Sequence, residues 1–129
     1  MKVISITGGV GSGKSEVLRI LQEEFGADII IADKVAHQLM EPGKKGYGRV
    51  VAAFGISLLS ADGSIDRQRM AELIFSDKDS IEKMNSIIHP MVWSEIEYAI
   101  AHSDKNLVAV EAALFDEEHN AMFDEIWYI

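Results

Sequence analysis

The chain has 129 residues, 48% hydrophobic and 26% charged, with no cysteine and a net charge of −9. Those values suit one globular domain and exclude a disulfide framework and thiolate metal sites. The negative charge repels nucleic-acid phosphates and anionic membranes, and the longest aliphatic run, 29–31, is far too short to span a bilayer. The start, MKVISITGG, lacks the apolar run of a signal peptide, so the cytoplasm is the expected location. No obligate protein partner is inferred.

Residues 2–7, with Val3, Ile4 and Ile6, read as a short buried strand. Next comes Gly8-x-x-x-x-Gly13-Lys14-Ser15, the Walker A pattern of a phosphate-binding loop. Glycines let backbone N–H groups curl around phosphates, and the following helix points its positive end at them. In such a loop Lys14 reaches the β- and γ-phosphates and the Ser15 hydroxyl ligates Mg²⁺. The candidate ATP site is therefore Gly9, Val10, Gly11, Ser12, Gly13, Lys14, Ser15 and Glu16. Glu16 is unusual there: a carboxylate suits the helix dipole but not a neighbouring phosphate, so it is expected to bind or to point away.

Residues 14–25 read as a helix with Val17, Leu18, Leu21 and Phe25 on one face, ended by Gly26. A second buried strand is predicted over 28–32. Strand, helix and strand form a βαβ unit, which makes the two strands parallel and places strand two beside strand one. Asp33 ends strand two on this reading and faces the loop, either as the carboxylate serving an incoming nucleophile or as a cap for the next helix.

From 33 to 105 nearly everything has helical period. Val35, Ala36, Leu39 and Met40 share a face before EPG stops that helix; Tyr47, Val50, Val51 and Phe54 share another. SADGS at 60–64 is a turn, Asp66 caps a helix with Met70, Leu73 and Ile74, and Asp77 caps the next. Pro90 starts or kinks a further helix. Met40, Met70 and Met84 read as core. Strands three (106–111) and four (125–129) follow. The stretch between strands two and three far exceeds the dozen or so residues a plain crossover needs, so it is a helical insert at the carboxyl end of strand two, where open α/β sheets bind ligands. The organisation expected is a nucleotide-binding core at 1–32 and 106–129 and an acceptor-binding insert at 33–105. The apolar ending, Ile126 to Ile129, reads as a buried strand with nothing to cover it, as in a fragment of a longer domain.

The segments TGGVGSGKS (7–15), IADKVAHQLMEPG (31–43), DGSIDRQRMAELIFSD (62–77), HP (89–90), VEAALFD (110–116) and DEIWYI (124–129) give the chain a further likeness. In their order it resembles the dephospho-coenzyme A kinase family. The resemblance implies an α/β P-loop fold of the nucleoside-monophosphate-kinase type, with five parallel strands and the helical insert after strand two. It implies ATP and Mg²⁺, dephospho-CoA as acceptor, and phosphorylation of its ribose 3′-hydroxyl, the last step of coenzyme A synthesis. Asp33 then matches the family's base. An aspartate common two residues earlier is replaced by Ile31, and either Asp116 or Glu117 stands for a family glutamate. The family also continues past this chain's end, into a lid with phosphate-binding arginines.

Several further residues have two readings each. Glu111, ending strand three, orients a Mg²⁺-bound water or is a solvated strand end. Arg67, disfavoured by the dipole in a first helical turn, contacts acceptor phosphate or pairs with Asp66 or another acid. His37 and His89 contact the acceptor or are structural. Lys44 and Lys45 attract an anionic acceptor or, the reading preferred, belong to a flexible solvated loop. The rivals to the kinase reading are another small-molecule P-loop kinase, of nucleoside-monophosphate or shikimate type, and an inactive nucleotide-binding fragment.

Overall fold

A computed structural model describes residues 1–9, 11–112 and 117–129. In chain order the elements are β1 (Lys2–Thr7), α1 (Lys14–Phe25), β2 (Asp28–Ile31), α2 (Ala32–Leu39), α3 (Lys45–Phe54), α4 (Arg67–Ser76), α5 (Lys78–Ala101), β3 (Leu107–Glu111) and β4 (Glu125–Tyr128). Short 3-10 turns lie at Ile56–Leu58 and Glu117–Met122. The chain divides into two compact units: Met1–Asp33 with Glu95–Ile129, and Lys34–Ser94.

The first unit is a sheet of four parallel strands in the order β2-β3-β1-β4. This corrects the expected neighbours. β2 is parallel to β1 but not beside it, because β3 lies between them, in register with Ile4 through Ala109 and with Ile29 through the same residue. Burial follows position. The central strands carry the buried run Val3, Ile4, Ile6, Val108, Ala109 and Val110, covered on one face by Leu18 and Leu21 of α1. Strands β2 and β4, expected to be buried, are edges: β2 is half-buried throughout and Tyr128 of β4 is 74% exposed. Gly26 ends α1 in the left-handed conformation (φ 67°), as expected.

β2 stops at Ile31, so Ala32 and Asp33 belong to the first turn of α2 rather than to the strand. Two predicted helices around Pro90 are also one. Helix α5 runs 24 residues with Pro90 inside it, and the buried stripe Met84, Ile88, Met91, Val92 and Ile96 continues across the proline. A continuous apolar face holds the helix together against the loss of one backbone donor. Its last turns, from Glu95, cluster with the sheet rather than with the insert.

The second unit, Lys34–Ser94, is helical. Asp66 caps α4 as expected, accepting from the N–H groups of Gln68 and Arg69. The turn before it is pinned by Asp62, which accepts from the Ser64 amide and hydroxyl, and by Tyr47 donating to the Gly63 carbonyl at 2.6 Å. Leu59 and Ile65 form a single antiparallel bridge across that turn. Asp77 accepts from the N–H of Asp79 at the start of α5. Gly46 is required by contact: a Cβ there would run into the Leu39 carbonyl.

Candidate active site

Parallel strands deliver their carboxyl ends to one edge of a sheet. In the first unit that edge carries the loop after β1, Glu111 at the end of β3, and Asp33 two residues past the end of β2. Glu111 is in register with Ile6 on one side and Ile31 on the other.

The loop is built for an anion. Gly11 and Gly13 have φ of 78° and 94°, which other residues rarely adopt. Gly13 is the residue before α1 and offers no side-chain cap, so the first amides of the helix remain open to a ligand. Inside the loop the Ser12 N–H donates to the Gly9 carbonyl at 3.2 Å. Gly8 has no room for a side chain: a Cβ would lie 2.6 Å from the Ile129 carbonyl oxygen and 2.8 Å from Ser12 Oγ. The Ser12 hydroxyl is buried and has no hydrogen-bond partner among the described residues. A buried hydroxyl left unpaired is costly, and a phosphate oxygen in the loop is the partner its chemistry suits.

Lys14 Nζ lies 3.1 Å from Glu111 Oε1, with the two side chains only 18% and 24% exposed. Neither sequence motif foretold this pairing, since it depends on β3 lying next to β1. Ser15 is exposed at the start of α1. Glu16 turns to the helix surface, where its carboxylate pairs with Arg19, which also holds Glu23 at 2.7 Å. The Arg19 guanidinium keeps the Glu16 carboxyl below the usual carboxylate range. Gly9 is exposed in the loop. Val10 and Asp116 lie outside the described residues.

The remaining candidates lie in the second unit. The Arg67 guanidinium donates to His37 Nδ1 at 3.1 Å, so that nitrogen is the acceptor. Asp66, the partner considered for Arg67, instead faces Arg69 at 3.5 Å. His37 and Arg67 line a cavity of about 190 Å³ with Glu41, Ser64 and an apolar wall of Met40, Pro42, Ile65 and Met70. Met40 and Met70 thus line a cavity, whereas Met84 is core. His89 is half-buried on α5 and is not among that cavity's lining residues. Lys44 and Lys45 are exposed, at the start of α3. Glu41 and Ser64 lie in the segments 31–43 and 62–77 that carry the resemblance, but no role was expected of either, and only the structure brings them to the cavity.

Among the described residues no three acidic, histidine or cysteine side chains gather into a metal cage, and no helix is long and apolar enough to cross a membrane. A phosphate-bound Mg²⁺ needs no cage: it keeps several waters and takes one or two protein oxygens besides the phosphates. The Ser15 hydroxyl and the Glu111 carboxylate suit that donor set.

A parallel sheet, a glycine-rich loop at a strand's carboxyl end and a lysine opening the next helix define a P-loop nucleotide-binding protein. The comparisons narrow the class. A family model described as CoaE, dephospho-CoA kinase, matches residues 2–129, and the chain belongs to the dephospho-CoA kinase family. It is 37% identical to the dephospho-CoA kinase of Carboxydothermus hydrogenoformans over 100% of this chain and 64% of that protein. It is 43% identical to that of Streptomyces avermitilis over 78% of this chain and 50% of the relative. Among solved structures it is similar to TT1252 from Thermus thermophilus, with a TM-score of 0.76 at 25% identity over 99% of this chain and 64% of that one. The dephospho-CoA kinase of Campylobacter jejuni shares the fold, with a TM-score of 0.73 at 24% identity over 98% and 66% of the two chains. The chain thus spans about two-thirds or less of the length of these relatives.

Proposed function

We propose that this chain supplies the phosphate cradle and the base of an ATP-dependent kinase that phosphorylates the ribose 3′-hydroxyl of dephospho-CoA, giving coenzyme A in the cytoplasm. The observation that carries the reading is the shared edge: Lys14 in a loop with open amides and an orphaned Ser12 hydroxyl, Glu111 at its side, and Asp33 beyond it. Loop amides from Gly9 to Ser15 would hold the β- and γ-phosphates, and the Lys14 ammonium would spread the charge of the transferring group. Mg²⁺, when bound with ATP, supplies charge neutralisation at the phosphate oxygens; Ser15 directly and Glu111 through water would hold it.

Asp33 is assigned the proton of the attacking hydroxyl. Two strand spacings separate β1 from β2, roughly 9–10 Å. That gap leaves space for a phosphoryl group and a ribose oxygen in line, which direct adjacency of the strands would not. In the insert, the cavity held by His37 and Arg67 is assigned to the acceptor. Its apolar wall and guanidinium suit a molecule with both apolar and anionic parts. His89 is assigned to the same unit's acceptor surface on the strength of its motif alone.

The test is ADP release with ATP and each of three acceptors: dephospho-CoA, AMP and shikimate. The reading expects release above background with dephospho-CoA alone. Release with AMP or shikimate instead would favour another P-loop kinase, and ATP binding without release would favour a nucleotide-binding role only.

A further inference from the structure

We propose that Glu111 is the resident counter-anion of the phosphate cradle. With no phosphate bound its carboxylate holds Lys14, and loading a phosphate chain is an exchange of one anion for another. The inference rests on the nucleotide-binding reading and adds a threshold to it.

The pair differs from the other ion pairs among the described residues of the first unit. Lys2–Glu125 and Arg19–Glu16 have side chains 46–61% exposed, where water and salt screen them. Lys14 and Glu111 are 18% and 24% exposed, at 3.1 Å. An ammonium so far out of water needs a counter-charge, and removing one partner leaves the other uncompensated. Both ends are anchored. Glu111 is the last residue of a strand paired on both sides, at Ile6 and Ile31, and Lys14 is the first residue of α1. Both backbones are thus held at positions from which the two side chains reach each other, and an anion entering the loop competes with the carboxylate for the ammonium.

An incoming anion therefore has to replace a carboxylate already in place. A lone monoanion trades one contact for another and gains little. A polyphosphate also reaches the loop amides and the unpartnered Ser12 hydroxyl, so it gains enough to displace Glu111. The carboxylate thereby keeps small anions from filling the loop. Its release frees it for the water-mediated role assigned above.

The experiment is calorimetric titration of ADP into the protein in EDTA, which keeps divalent ions out of the comparison. Glu111→Gln keeps the side-chain shape and removes the charge. Asp104→Asn removes one charge at the amino-end side of β3, on the opposite edge of the sheet, and controls for net charge. The exchange predicts that Glu111→Gln binds ADP about tenfold more tightly than the parent chain, while Asp104→Asn stays within about twofold. Glu111→Asp, which shortens the reach, is expected to move the same way by less and serves if Glu111→Gln does not fold by circular dichroism. Unchanged or weaker binding in the Glu111 variants, with the parent chain binding ADP, overturns the exchange and leaves the nucleotide reading standing. Absence of ADP binding in the parent chain overturns the nucleotide reading and the exchange with it.

Discussion

The sheet unit and the helical insert hold their polar residues by opposite means. In the sheet unit each candidate residue stands at the end of an element whose place is set by distant partners: Glu111 is fixed by Ile6 and Ile31, and the Val3 amide donates at 2.7 Å to Asp124, 121 residues away. In the insert many polar contacts are short-range: Asp66 on α4, Asp62 on Ser64, Asp77 on α5. The sheet unit therefore positions chemistry through topology. The insert builds a stable wall from caps and turns, tied by longer links such as His37 to Arg67, Lys83 to the Ala53 carbonyl and Tyr47 to the Gly63 carbonyl.

Substitutions should separate the two modes. The largest effect is expected from Lys14→Met, which removes the cation of the cradle. Nucleotide affinity measured by titration should fall by on the order of a hundredfold, and the melting temperature should fall as well, because Glu111 loses its partner. A drop in affinity below tenfold would mean that the loop amides alone carry the phosphates. Next comes Gly46→Ala in the insert, where the added methyl meets the Leu39 backbone. We expect a loss of about 1–3 kcal/mol in denaturant unfolding. The sheet unit's nucleotide affinity should persist in the folded fraction, and its loss would show that the insert's packing also governs the loop.

Asp66→Ala tests the insert's local mode directly. Removing the cap of α4 should cost about 1 kcal/mol in chemical denaturation. Asp66→Asn, which keeps an acceptor, should recover most of it. The smallest effect belongs to Glu16→Gln. Its carboxyl is held below the usual carboxylate range by Arg19, so its contribution to stability is present at neutral pH and fades as pH falls through and below that range. The pair is exposed, and the melting temperature at pH 7 should barely change. A large loss at pH 7 would give Glu16 a partner other than Arg19.

The same contrast decides what the amino-acid pattern revealed. Caps, turns and the phosphate loop are written in neighbouring residues, so Asp66, Gly26 and the Gly8–Ser15 motif were legible. Strand order is written nowhere locally. Nothing in 28–31 or 107–111 says that β3 enters between β1 and β2, and so the Lys14–Glu111 contact and the true spacing of Asp33 were not readable. Hydrophobicity misled in two places. The IIIA run looked central yet forms an edge strand that yields to a helix at Ala32, and Pro90 looked like a boundary although the apolar stripe of α5 passes through it. In the insert, His37 and Arg67 each carry a signal of their own in the sequence. Their contact became visible only once the 60–64 turn folded Ser64 and α4 toward α2.

The central claim is that Asp33 works on a phosphoryl group held by the loop. It is tested most directly by measuring ATP affinity and dephospho-CoA-dependent ADP release side by side in the parent chain and in Asp33→Asn. The account predicts unchanged ATP affinity and a rate lower by roughly 10²–10⁴-fold. Equal rates in the two proteins would contradict it.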